Sequence, residues 1–369
     1  MVRITDTAPG RTALIDGRSC LFFSGFSYLG LHASHAFRDL LAVGNGRFGS
    51  VYPSSRISNL QLRLYEELEH ALAAMFHQQS AVCFSSGYLA AQAAVTYAAG
   101  RGTLLHAPGA HPAIRYPGAQ VPEGSVPDWL ATIVETVNNG DDHQYVLVAD
   151  AVNPLTATVH DFSPLAGIRK KVLVLIDDSH GIGILDDEGT GIVRSLPASP
   201  ALHYLVTASL AKAFSLEGGF VAGHAADIAA IRKLPLFTAS TPMIPANAYT
   251  FLHAREAFTA ARNVLKQRIQ ALENLTAGIP ALHHPHALPV FAIHEHHGGA
   301  AEAARPVVQL NGLRGIYEHL LSLDVFISSF SYPDPQGPRI NRIVLSALHT
   351  QSDLEILAEH LTRFYSSIQ

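Results

Sequence analysis

The sequence predicts an α/β protein, with a large domain built on a mostly parallel sheet and a smaller C-terminal α/β domain. Three observations predict it. Short, continuously apolar runs at residues 81–84, 145–149, 172–176, 205–208 and 220–222 recur between helical stretches. Several of these runs end in polar or ionisable residues: Asp150, Asp177, and Ser209 followed by Lys212. Hydrophobic residues make up 48% of the chain and charged residues only 15%, which suits a large buried core and argues against disorder. Apolar strands with polar C-terminal ends are what a parallel sheet covered on both faces produces.

The elements follow in order. Residues 1–45 read as an N-terminal arm; the stretch 22–31 is apolar but broken by glycines, and is expected to lie across another surface. Over residues 61–76, Leu62, Leu64, Leu68, Leu72 and Met75 keep a helical spacing with acids on the opposite face. The strand at 81–84 turns through Ser85-Ser86-Gly87 into an alanine-rich helix over 88–98, whose small side chains predict burial. The remaining strands of the large domain come next. Near residue 236 the pattern changes. A long helix runs from 245 towards 272, followed by helices near 305–322 and 351–366 and strands near 288–293, 324–330 and 342–347. The expected division is an arm at 1–45, a large domain at 46–236 and a small domain at 237–369 within the 369 residues.

Composition excludes several classes. A net charge of −5 argues against nucleic acid as a partner. Two cysteines, Cys20 and Cys83, make neither a disulfide framework nor a metal cage. There is no run of 18 apolar residues, so no membrane span is expected. The first ten residues lack the apolar region of a secretory signal, and the cytoplasm is the expected compartment. The 21 histidines cluster at 283–286 and 294–297. A metal site there is conceivable, but neither cluster has the spacing that puts two ligands on one helical face. Surface loop histidines fit better, and no metal is expected.

The chemistry gathers around Lys212. A short apolar run leads to Ser209-Leu-Ala-Lys212 and then to Gly218-Gly219. About 30 residues upstream, the run 172–176 ends in Asp177-Asp178-Ser179-His180-Gly181. A lysine, and an acid with a histidine, each at the end of a buried strand, suggest a pyridoxal phosphate site. That cofactor needs a lysine for the Schiff base and an acidic partner for its pyridinium nitrogen. Taken singly, the two segments also fit a solvated loop lysine and a helix-capping aspartate. Gly181-Ile-Gly183 lacks the third glycine of a dinucleotide fingerprint, and no Gly-x-Ser-x-Gly elbow supports a hydrolase.

With these residues in place, the chain resembles the α-oxoamine synthase family of fold-type-I pyridoxal phosphate enzymes. The most specific motifs are Ile176-Asp-Asp-Ser-His-Gly-Ile-Gly-Ile184 and Ser209-Leu-Ala-Lys-Ala-Phe214, within an ordered match from Tyr28 to Thr350. The resemblance implies a large domain with a mostly parallel seven-stranded sheet. It implies that Lys212 bonds the cofactor and moves protons at the substrate α-carbon. Asp177 pairs with the pyridine nitrogen, with Asp178 as the alternative, and His180 hydrogen-bonds the phenolic oxygen. His111 stacks on the ring. Ser86, Gly87 and Tyr88 offer backbone N–H groups to the phosphate, in keeping with the physics of a helix N-terminus. Ser209 adds a hydroxyl, and Ser240 and Thr241 reach the phosphate from a second subunit. Arg342 grips the amino-acid carboxylate, a task suited to its bidentate fork.

The implied reaction condenses an amino acid with an acyl-CoA, or an acyl-carrier thioester, usually with loss of CO2, in a homodimer with shared sites. The alternatives are another reaction on the same fold, such as an aldolase, lyase or aminotransferase, or a non-catalytic partner subunit of a synthase. The chain departs from the family pattern in places. Leu60 stands for a glycine and Tyr65 for a histidine near the expected acyl entrance. Ala91 replaces an asparagine and Ser215 a glycine, and the segment 150–156 replaces a Glu-Gly-x-x-Ser-Met-Asp-Gly strand end.

Overall fold

The computed structural model describes residues 3–140, 143–285, 288–293, 315–332, 335–337 and 339–367. The chain divides into two compact units. One comprises residues 34–153 and 159–259; the other comprises 1–33, 154–158 and 260–369. The divisions at 33/34 and 259/260 differ from those expected at 45/46 and 236/237.

The larger unit is built on a six-stranded sheet. Its strands lie in the order Ser80–Phe84, Gly219–Gly223, Leu202–Ser209, Val172–Asp177, Tyr145–Asp150, Thr103–His106. The last four are parallel to one another. Gly219–Gly223 is antiparallel to both its neighbours. A nine-residue connection from Ser209 to Gly219 is too short for a parallel crossover, so the chain returns as an antiparallel neighbour. The loop so formed carries Lys212. Among the described residues the sheet has six strands where seven were expected. Thr103–His106 was missed in the sequence because Leu104 and Leu105 alone make too short an apolar run.

All six residues of Val172–Asp177 are buried, as a strand covered on both faces requires. The helix Gly87–Ala99 packs on Leu202–Ser209 and Gly219–Gly223. Its buried Ala90, Ala91, Ala93, Ala94 and Ala98 let it lie close against Val146, Val148, Leu173, Leu175, Leu205 and Val221. Ala91 therefore fills a core position. The helix expected from 245 is interrupted at Ala254, giving Pro245–His253 and Arg255–Thr276.

The smaller unit has a second six-stranded sheet, ordered Thr12–Ile15, Arg18–Phe23, Val325–Ser331, Arg339–Val344, Val290–Ile293, Leu282–His283. The N-terminal segment is thus a hairpin added to this sheet. Asp16 and Gly17 both take positive φ, 50° and 79°, the geometry of a tight hairpin turn. Residues expected to complete the arm instead form the helix His35–Phe48 of the larger unit. The helix Gln351–Ser366 closes the chain behind a capping box made by Thr350 and Asp353.

His284 is bonded to Glu273 at 2.8 Å and to the Leu288 carbonyl at 2.6 Å, and stacks on Phe291, so it serves packing. His286 and the 294–297 cluster lie outside the described residues, as does most of the helix expected near 305–322. Among the described residues no group of three or more His, Cys, Asp or Glu side chains is placed to hold a metal. Nor is any helix among them long and apolar enough to cross a membrane.

Candidate active site

The functional side chains of the larger unit gather at the C-terminal ends of its parallel strands. Asp150 and Asp177 end adjacent strands and stand directly opposite each other in register. Asp177 is 6% exposed, and its Oδ1 accepts the Ser179 N–H at 2.9 Å. Ser179 Oγ in turn accepts the Ser209 N–H at 2.9 Å, which ties the end of the aspartate strand to the end of the lysine strand. His180 follows in the same turn and is half-buried.

Lys212 sits in the loop between the two antiparallel strands. Leu210 N donates to Gly218 O at 3.0 Å and Leu216 N to Leu210 O at 3.2 Å, which closes the loop around it. Ser215 takes φ 54°, a left-handed conformation that favours glycine, and this accounts for the family's glycine there. Burial lowers the pKa of Lys212, against opposing attraction from Asp177 and Asp150.

His111 caps the 3-10 turn Pro112–Ile114, with its Nδ1 accepting the Ala113 N–H at 3.1 Å. Its backbone N–H donates to Asp150 Oδ2 at 2.8 Å. The imidazole pKa lies below its usual value, first through lost solvation and then through the Lys212 and Arg115 charges, with Asp177 opposing. Lys212, Asp177, Asp150 and His111 are thus close enough to act on one another's charge.

Ser86 is the N-cap of the helix Gly87–Ala99; its Oγ accepts the Leu89 N–H at 3.1 Å. The other N–H groups of a first turn have no partner within the helix and point at whatever lies before it. A side chain at Gly87 would place Cβ 2.4 Å from Ser209 Cβ, so only glycine lets the helix start meet the lysine strand. Gly219 shows the same closeness, its Cβ falling 2.5 Å from Gly87 Cα. Tyr88 is exposed.

These residues fit pyridoxal phosphate. A helix N-terminus beside a serine suits the phosphate, a buried strand-end aspartate suits the ring nitrogen, and a partly desolvated lysine suits the aldehyde.

Other expected residues stand apart. Ser240, half-buried, and Thr241, exposed, lie between Pro235–Thr238 and Pro245–His253. Among the described residues neither hydrogen-bonds to the cluster. Arg342 belongs to the smaller unit, on Arg339–Val344. Its Nη1 donates to Pro154 O at 2.8 Å, its guanidinium lies 5.1 Å from the Phe330 ring centre, and its Nε is buried without a partner. Burial lowers its pKa, with Tyr28 opposing.

Tyr65 is a correction. It is 1% exposed, its hydroxyl donates to Met243 O at 2.6 Å, and Arg56 lies over its ring at 4.4 Å. It therefore anchors the segment after Thr241, its side chain enclosed among the described residues. Leu60, by contrast, is 75% exposed.

Asp178 is fully buried and turned away from Asp177. Its Oδ2 accepts the Ile192 N–H at 2.7 Å. It holds the 181–191 loop. The residue that sequence reasoning missed is Asp150. The available signal was that it ends its strand as Asp177 does.

Fold and site together define a pyridoxal phosphate-dependent enzyme. The chain belongs to the aminotransferase class I and II family, whose model matches residues 54–361, and within it to the α-oxoamine synthases. The 8-amino-7-oxononanoate synthase of Nitrosomonas europaea is 29% identical over 377 residues, covering 94% of this chain and 90% of the relative. That of an Azoarcus species is 27% identical over 367 residues, covering 95% and 90%. Among solved structures, Sphingomonas wittichii serine palmitoyltransferase superposes with a TM-score of 0.81 at 17% identity, over 98% of this chain and 91% of that one. The 8-amino-7-oxononanoate synthase of Francisella tularensis gives 0.70 at 18% identity, over 94% and 99%. The two structural likenesses concern the fold.

Proposed function

We propose that this enzyme joins the α-carbon of an amino acid to the acyl group of a thioester, with acyl-CoA as the donor, releasing the thiol and, from the amino-acid carboxylate, CO2 to leave an α-oxoamine. The observation that carries this reading is the strand-end cluster of Lys212, Asp177 and His111 beside the Ser86–Gly87 helix start and Ser209. Bound pyridoxal phosphate supplies the electron sink that stabilises negative charge at the substrate α-carbon.

The chain's residues do the rest. Ser209 and the N–H groups of Gly87 and Tyr88 would hold the phosphate, with Ser86 setting the helix start. The Asp177 carboxylate would pair with the pyridine nitrogen and keep it protonated. His180 would hydrogen-bond the phenolic oxygen, and His111 would lie against the ring. The lowered pKa of Lys212 favours its neutral amine, the form that bonds a carbonyl and accepts a proton from the α-carbon. Arg342 takes the amino-acid carboxylate, and its unpartnered Nε supports that role.

Ser240 and Thr241 complete the phosphate site of a second copy, so the assembly is a homodimer. Exposed Val51, Ile57, Leu60 and Tyr88 on the larger unit support a covering partner. The compartment we propose is the cytoplasm.

Thiol release from a panel of acyl-CoAs and amino acids tests the reading. Release that needs both substrates supports it. Amino transfer to a 2-oxo acid without thiol release overturns it. In the same assay Arg342→Lys should weaken amino-acid binding by ~1–3 kcal/mol and leave the cofactor absorbance unchanged.

A further inference from the structure

We propose that Asp150 is a positioning residue of this site: its carboxyl group holds the backbone N–H of His111 and thereby sets the imidazole against the cofactor ring. The inference rests on the cofactor reading above and adds a residue to it.

The geometry comes from three elements. Asp150 ends Tyr145–Asp150 and is in register with Asp177 on the adjacent parallel strand, so the two side chains leave the same face about 4.8 Å apart. Asp150 Oδ2 accepts the His111 N–H at 2.8 Å. His111 is the N-cap of the turn Pro112–Ile114, and its own Nδ1 is held by the Ala113 N–H. Asp150 thus holds the backbone of the exposed His111, and the Ala113 N–H holds its ring. Arg115 fastens the same turn by donating from Nε to Ala110 O at 2.6 Å.

The charge state of Asp150 suits the task. Groups face it from every side: Asp177 from the neighbouring strand, His111 and Arg115 from the turn, and Lys212 from its loop. Two adjacent carboxyls, one buried and one half-buried, cannot both ionise cheaply. Burial first, and Asp177 second, push the Asp150 carboxyl well above the usual carboxylate range, toward the neutral acid. A neutral carboxyl still accepts from His111, and it adds no second negative charge beside the cofactor's ring nitrogen.

The alternative is that Asp150 merely finishes a strand. The two roles separate in the cofactor's optical signal. Wild type, Asp150→Asn, Asp150→Ala, His111→Ala and the double Ala variant are loaded with pyridoxal phosphate. Visible absorbance and induced circular dichroism are recorded from pH 6 to 9, with kcat and amino-acid KM.

Asn is uncharged and keeps an acceptor for His111, so Asp150→Asn should overlay the wild type. Asp150→Ala should change the induced dichroism and lower kcat ~10–100-fold with little change in KM, the scale expected for a misplaced active-site group. Adding it to His111→Ala should cost nothing further, since both changes remove one unit. Overturning results are an unaltered Asp150→Ala spectrum and kcat, an Asn variant as damaged as Ala, or additive losses in the double variant. Should Asp150→Ala lose its cooperative melt, the Asn overlay decides alone. A wild type that takes up no cofactor would instead sink the cofactor reading.

Discussion

Asp177 and Asp178 are chain neighbours with opposite duties. Successive strand residues face opposite sides, so one carboxyl reaches the strand-end cluster and the other enters the 181–191 loop. Side chains at Gly181 and Gly191 would come within 2.0 and 1.9 Å of the Asp178 carboxyl. Burial drives its pKa far above the usual range, toward the neutral acid. Asp178→Asn, which mimics that form, should keep activity within about tenfold. Asp177→Asn should still take up the cofactor yet lose turnover by roughly 10³-fold. Steady-state rates of the two variants check this; equal losses would contradict the assignment. The placement of Lys212 and Asp177 beside the ends of adjacent strands was legible in the sequence because apolar runs lead to both. Tyr65 and Asp150 were not. The direction each side chain faces is settled by distant partners, Met243 O and the His111 N–H.

Local chemistry fixed some elements and tertiary context fixed others. The helix Gln351–Ser366 was legible to both ends because its periodicity begins at a capping Thr350. The hairpin Thr12–Phe23 carried its own signal, Asp16-Gly17 between alternating residues, yet the glycines after it suggested an arm. Arg18–Phe23 pairs with Val325–Ser331, some 300 residues away, a partnership no local pattern shows. The turn after Arg339–Val344 holds a further consequence. His349 is buried, stacked on Phe23 at 4.0 Å and bonded to Phe22 O at 3.1 Å. Burial lowers its pKa to about 4, with Arg11 adding slightly and Asp353 opposing. The unfolded chain, with a histidine pKa of ~6.5, therefore binds the proton first. Stability should be unaffected above pH 7 and fall by up to ~1.4 kcal/mol per unit between pH ~6.5 and ~4. Urea midpoints at pH 7.5 and 5.0 should drop further in the wild type than in His349→Gln. Equal drops would place the acid sensitivity elsewhere.

For the molecule as a whole, alternation of apolar strands and helices made the α/β class legible, while the limits of its units were not. The smaller unit takes residues from the start, a short middle segment and the end of the chain, so no single composition shift marks it. The dimer proposal belongs at this scale. Ser240 and Thr241 make no hydrogen bond to the cluster among the described residues. The active species should therefore have twice the 39.6 kDa chain mass, with specific activity falling on dilution as it dissociates. A fully active monomer by sedimentation would contradict it.

The central claim is that Lys212 carries the cofactor at the end of this sheet. Protein reconstituted with pyridoxal phosphate should turn yellow, absorbing near ~420 nm. Borohydride reduction followed by peptide mapping should then find the pyridoxyl label on Lys212. A protein that stays colourless on reconstitution, or a label fixed on another lysine, would contradict the account.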